Sequence, residues 1–168
     1  FADRFEDREN GGFFLSENRA ARSPVRSKEI SDSSMPSANA VHAWQMIRLS
    51  RLAGKPELEE RAVRVLEAFP LEFSRIPAAC PTAACAVLHL NEGGTDVTLT
   101  AGAGGELDPM LAVLRCGYRP FLTVRVNPED FAADREKGAP CAYVCAGHAC
   151  FPPVGDPGAL RRLINGKK

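Results

Sequence analysis

Between Pro36 and Phe69 two helical patterns are separated only by Gly54-Lys55-Pro56, and this spacing constrains the fold more than any other feature. Pro36 opens the first pattern, with Ser37 and Asn39 at its first turn. Proline suits that place because the N–H it lacks would be unpaired there. From Ala38 to Ala53, the residues Ala40, Val41, Ala43, Trp44, Met46, Ile47, Leu49 and Leu52 lie all around the helix. A helix apolar on every side is a buried one. Gly54 stops it. Pro56 starts the second pattern, with Glu57, Glu59 and Glu60 near its positive end. Leu58, Ala62, Val65, Leu66 and Phe69 follow the spacing of one buried face, against Arg61, Arg64 and Glu67 on the other. Inner and outer helices alternating in this way build helical-hairpin barrels and solenoids. A third helix is expected from about Ala78 to Leu90, with Pro81 in or near its first turn. Residues 36–90 should therefore hold three helices, the first the most buried, with Trp44 in the core.

Before this region the chain is polar and irregular. Gly11-Gly12 forms a turn, and Phe13 and Phe14 after it read as anchors that tie a loop or short hairpin onto a core. Ser16 to Ser34 reads as an extended loop. After it the periodicity changes. Val97, Leu99 and Ala101 alternate with Thr98 and Thr100, as in a strand. Asp108-Pro109 signals a helix start, Leu111 and Leu114 continue it, and Gly117 ends it. Phe121–Val126 and Cys141–Cys145 read as further strands, Asn127-Pro128 as a turn of helix, and Asp156-Pro157 as the start of a last helix. Strand, helix, strand implies a parallel crossover. The fold class is α+β: helical hairpins over 1–93, then a small α/β module with a short sheet over 94–168.

Composition removes several classes of function. The chain has 168 residues, 45% of them apolar, and 21 basic residues balance 21 acidic ones. A nucleic-acid binder needs a basic excess to neutralise phosphates, so nucleic acid is not an expected partner. No apolar run reaches the roughly 20 residues that span a membrane. The first residue is Phe1, with no leader pattern behind it; the expectation is a piece of a larger cytoplasmic protein. The six cysteines form no evenly spaced framework, which favours reduced thiols.

Two stretches carry a resemblance. One is Ser27-Lys-Glu-Ile-Ser-Asp-Ser-Ser-Met-Pro-Ser-Ala-Asn-Ala-Val41, with the helix ending in Arg48-Leu-Ser-Arg-Leu-Ala-Gly54. The other is Ala142-Tyr-Val-Cys-Ala-Gly-His-Ala-Cys-Phe-Pro-Pro-Val154, with Asp156-Pro157 and Leu160-Arg-Arg-Leu163. Together with Gly11-Gly12-Phe13-Phe14 they resemble the C-terminal part of a thioredoxin-domain family. The resemblance implies an N-terminal thioredoxin-like domain, then an (α/α)6 barrel similar to sugar epimerases and six-hairpin glycosidases, then a C-terminal segment. The missing N-terminal domains would be the chain's partners, and a carbohydrate its ligand. Where the family carries Asp-Gly-Ala, this chain has Asp32-Ser33-Ser34-Met35.

Lys28, Glu29, Asp32, Ser37, Asn39 and His42 cluster in sequence at the mouth of the first helix. Loops at inner-helix ends line the cavity of a helical barrel. Glu29 and Asp32 there can act as acid and base on a sugar, with Lys28, Ser37, Asn39 and His42 binding it. The alternative is an ordinary loop in which Asp32 or Ser37 caps the helix. Thr100-Ala-Gly-Ala-Gly-Gly-Glu106 stands where phosphates bind in α/β folds, but its spacing is not that of a nucleotide loop. Cys141, Cys145, His148 and Cys150 are open to three readings: zinc ligands, a Cys145–Cys150 disulfide or redox pair, or buried thiols. Cys80, Cys85 and Cys116 read as small core residues. No metal or cofactor is expected. Three functions remain open: an enzyme acting on carbohydrate, of which this piece is a part; a redox or scaffold protein whose thiol chemistry lies in the thioredoxin-like domain; and a purely structural C-terminal module.

Overall fold

A computed structural model describes residues 2–17, 25–101, 105–127, 138–147 and 149–166, the side chains of residues 2 and 3 excepted. The architecture is mixed α and β, in two compact units, Phe1–Asn91 and Glu92–Lys168.

The first unit is helical. It holds α1 (Ala2–Phe5), α2 (Ala38–Ala53), α3 (Pro56–Glu67), α4 (Pro70–Arg75), a 3-10 turn (Pro77–Ala79) and α5 (Pro81–Glu92). Ser37 caps α2 by accepting from the Ala40 N–H, and Gly54 ends it in the left-handed region at φ 64°. Pro56 then opens α3, which packs along α2. Ala62, Val65, Leu66 and Phe69 are buried as their spacing requires, and Leu58 packs partly buried beside them. They meet Ala40, Ala43, Met46 and Ile47 of α2 and Ala83 and Ala86 of α5 in one core.

Three features differ from the sequence reading. Helix α4 was not expected. Pro70 disfavours a helical Phe69 before it, so α3 stops and the chain restarts with proline in the first turn. The third expected helix begins at Pro81, with Ala78 left in the 3-10 turn. Helix α2 is not buried all round. Val41, Leu49 and Leu52 are 38%, 49% and 38% exposed, and Trp44 is half-buried at the edge of the core.

The N-terminal segment doubles back at Gly11-Gly12 in a short antiparallel bridge, Glu6 to Phe13. Gly11 takes φ +74°, and a Cβ there would lie 2.5 Å from the Arg64 carbonyl oxygen, so only glycine fits. Phe13 is buried as an anchor, while Phe14 is half-buried with the Arg26 guanidinium 3.8 Å from its ring centre.

The second unit is built on β1 (Thr95–Thr100), β2 (Leu122–Val126), β3 (Cys141–Ala146) and β4 (Ala149–Cys150), in the order β2-β1-β3-β4. Between β1 and β2 runs α6 (Asp108–Arg115), and the two strands pair in parallel, so this is the expected crossover. Strand β3 pairs antiparallel with β1 and with β4. A last helix, α7 (Pro157–Asn165), is capped by Asp156, whose carboxylate accepts from the Ala159 N–H at 2.9 Å. Alternation sends Val97, Leu99, Ala142 and Val144 to one sheet face. There they form a core with Met110, Val113 and Leu114 of α6 and Leu160 of α7. Asp96, Thr98, Cys141, Tyr143 and Cys145 belong to the other face. Cys116 is exposed rather than core, because it follows the last turn of α6. Pro128 of the helical turn expected at Asn127-Pro128, residues 102–104 of the glycine-rich stretch, and His148 lie outside the described residues.

Candidate functional site

The loop before α2 and the first turn of that helix hold most of the polar residues singled out from the sequence. Asn39 is 1% exposed, so its amide must find partners. Its Nδ2 donates to the carbonyls of Phe13 and Glu29, both at 2.9 Å, and its Oδ1 accepts from the Phe13 N–H at 2.7 Å. Ser37 Oγ donates to the same Glu29 carbonyl at 2.9 Å. The Asp32 carboxylate joins two helix starts. Oδ1 accepts from the Ser37 N–H at 2.6 Å, and Oδ2 accepts from the Thr82 N–H at 2.7 Å, in the first turn of α5. Partial burial alone would raise its pKa, but the N–H groups of Ser37 and Thr82 outweigh this and hold it below 3.8. A carboxylate with both oxygens held by backbone donors is a poor proton acceptor.

Lys28 faces the other way. Its Nζ donates to Asp7 Oδ2 at 2.9 Å and to the Gly11 carbonyl at 2.8 Å, fixing the Gly11-Gly12 turn. The Lys28 ammonium draws the Asp7 carboxyl down to about 2. Lys28→Met should return Asp7 toward 3.8, as read by carboxyl NMR titration. The sign follows from the depressed folded value. The pair stabilises the fold above pH ~4, and the gain is lost as pH falls toward about 2. The variant should lack that acid-sensitive component of stability; an Asp7 titration unmoved by the substitution would contradict the pairing.

His42 is half-buried and meets Phe13 edge-on, with ring centres 4.3 Å apart. Burial lowers its pKa, the Arg61 cation lowers it further, and Glu6 opposes both. Glu29 is different again. Its side chain is exposed, while its carbonyl is held twice. So Glu29, Asp32, Ser37 and Asn39 come together, but they do so through backbone partners. Lys28 and His42 join the Gly11–Phe14 turn instead.

Sequence reasoning missed three features. His89 is fully buried in α5, and its Nδ1 accepts from the Trp44 indole N–H at 3.2 Å; a lone histidine in an apolar helix was the available signal. A charged cleft of about 680 Å³ lies between the N-terminal turn and α3. Glu6 and Arg61 pair across it at 2.8 Å, a match that sequence separation conceals. In the second unit a pocket of about 370 Å³ is lined by Glu92, Thr95, Arg119, Phe121, Gly147 and Ile164, among others. Among the described residues no cluster of three or more metal-ligating side chains occurs. No helix of the described residues is long and apolar enough to cross a membrane.

Cys145 and Cys150 are joined by a disulfide, with Cα atoms 4.0 Å apart. This is closer than the 4.4–6.8 Å usual for such pairs, because the two residues face each other directly across the β3–β4 hairpin.

No family model matches the chain. It is similar to human spermatogenesis-associated protein 20, with 27% identity over 177 aligned positions covering 96% of this chain and 22% of the relative. The rat protein of the same name is 26% identical over the same shares. An uncharacterized protein of Caenorhabditis elegans is 26% identical over 92% of the chain and 22% of its own length. The chain thus spans 22% of the length of these curated relatives.

Proposed function

We propose that this chain is a structural portion of a larger protein of the kind represented by spermatogenesis-associated protein 20. Residues 1–91 would supply helical hairpins to the end of an (α/α)6 barrel, and residues 92–168 a small α/β module. One observation carries the reading: an exposed apolar arc on α2. Val41, Leu49 and Leu52 span about 80° of that helix at 3.6 residues per turn. A helix with a core on one side and an apolar arc on the other suits a place between two layers. The relatives, of which this chain matches 22%, contain ample chain to cover the arc.

The test compares the 168-residue chain with a form extended by the preceding helices of the longer protein. Leu49→Asp should destabilise the extended form by about 2–3 kcal/mol, the scale of one buried leucine lost. In the short chain it should change stability by less than about 0.5 kcal/mol. Equal effects in both forms would remove the reading.

Sugar chemistry at the loop before α2 is a second reading, and the geometry of Glu29 favours it over Asp32 as the acid or base. Its backbone is fixed by Ser37 and Asn39 while its carboxyl is exposed. Glycoside cleavage needs a second carboxylate about 5–10 Å away, which the remainder of the larger protein would supply. Glu29→Gln in that protein should then abolish turnover without loss of stability; unchanged turnover would end this reading.

A further inference from the structure

We propose that Cys145 and Cys150 form a thiol-exchange site, open to a small dithiol or a protein dithiol, whose redox state sets the rim of the pocket beside it. The register supplies the first argument. The Phe151 N–H donates to the Val144 carbonyl at 2.9 Å, so residues 144 and 151 are a hydrogen-bonded pair. The adjacent pair, Cys145 and Cys150, is then the non-hydrogen-bonded kind, in which strands approach most closely. Their sulfurs therefore meet without a change of backbone. Exposure supplies the second argument. Cys150 is exposed and Cys145 half-exposed, on an edge strand and on the sheet face away from the core. The bond closes a sequence separation of only five residues, and a loop so short constrains the unfolded chain little. An exposed bond with a small share in global stability is the type that exchanges.

The hairpin tip connects this site to the pocket. Gly147 donates its N–H to the Gly94 carbonyl at 3.3 Å. A Cβ on Gly93 would lie 2.6 Å from the Gly147 Cα, so the tip and the Gly93-Gly94 turn touch backbone to backbone. Gly94 and Gly147 both line the pocket, with Arg119 and Phe121. The disulfide lies immediately behind this tip and holds β4 to β3 next to it.

A thiolate of the dithiol attacks Sγ of Cys150, the exposed sulfur. The Cys145–Cys150 bond breaks, and its electron pair and one proton go to Cys145 Sγ. The second thiol of the reductant then attacks the mixed disulfide, leaving Cys150 as a thiol and the reductant as a cyclic disulfide. The protein gains two electrons and two protons.

The experiment uses the folded 168-residue protein, equilibrated with oxidised glutathione and then with rising dithiothreitol. Thiol labelling is read by peptide mass spectrometry, and amide shifts by NMR. Cys145 and Cys150 should be unlabelled at first and become labelled together at millimolar dithiothreitol, while circular dichroism stays unchanged. The amides of Gly93, Gly94, Phe121 and Gly147 should shift in the same titration. The Cys145→Ser/Cys150→Ser protein should show no dithiothreitol-dependent shift at these amides. Three results would overturn the proposal: labelling of either cysteine after oxidised glutathione, opening of the bond only in denaturant, or opening that leaves the pocket amides unmoved.

Discussion

Asn39→Leu should lower the stability of the helical unit by about 3 kcal/mol, a fall in Tm of roughly 12–24 °C for a unit of this size. The side chain is 1% exposed and makes three hydrogen bonds to the backbones of Phe13 and Glu29. Leucine is close in volume, so the change creates little cavity. What it removes is the partner of buried backbone groups, and each such group left unpaired costs about 1–3 kcal/mol. The Glu29 carbonyl keeps its bond from Ser37 Oγ, so the loss falls mainly at Phe13. Glu29→Gln is the control. It alters the exposed side chain but leaves the carbonyl in place, and should change stability by less than about 0.5 kcal/mol. Thermal unfolding of the two variants distinguishes the outcomes, and a Tm for Asn39→Leu within 2–3 °C of the parent would contradict the anchoring role.

Asp32→Ala should follow closely, at about 2–3 kcal/mol. A helix N-cap contributes about 1 kcal/mol, and Asp32 holds an N–H at the start of each of two helices with charge-assisted bonds. The loss depends on pH. The folded pKa lies below 3.8, so the stabilisation is complete above that value and fades as pH falls through the folded pKa. Parent and variant should therefore converge in acid. Denaturant unfolding at pH 7 and near pH 2 tests this, and a gap that stayed constant across that range would contradict it.

The legible part of the fold came from local chemistry. The Gly54-Lys55-Pro56 turn, the buried face of α3, the Asp156 cap and the alternation of β1 each depend on neighbours within a few residues. Helix α2 was harder. Its apolar residues on all sides read as burial, but sequence does not say whether the covering layer lies in the same chain; here Val41, Leu49 and Leu52 remain exposed. Helix α4 is not legible because Phe69 continues the apolar face of α3, and Pro70 alone does not distinguish a helix restart from a loop. At the candidate site, composition located the residues but not their partners. Asp32, Ser37 and Asn39 are equally suited to binding a polar ligand and to capping. Only the long-range partners Phe13 and Thr82 decide between these uses. A Cys145–Cys150 pair is one of the three readings the local turn leaves open, and the disulfide overturns the expectation of reduced thiols there; a charge match such as Glu6 with Arg61 is not legible.

The polar residues before α2 fasten the fold, with one carboxylate joining the starts of two helices. The most direct measurement follows the amide shifts of Ser37 and Thr82 by NMR as pH is lowered. Both N–H groups donate to Asp32, at 2.6 and 2.7 Å. They should titrate together, with one apparent pKa below 3.8, and both transitions should vanish in Asp32→Asn. Separate midpoints for the two amides, or a transition that survives the substitution, would contradict it.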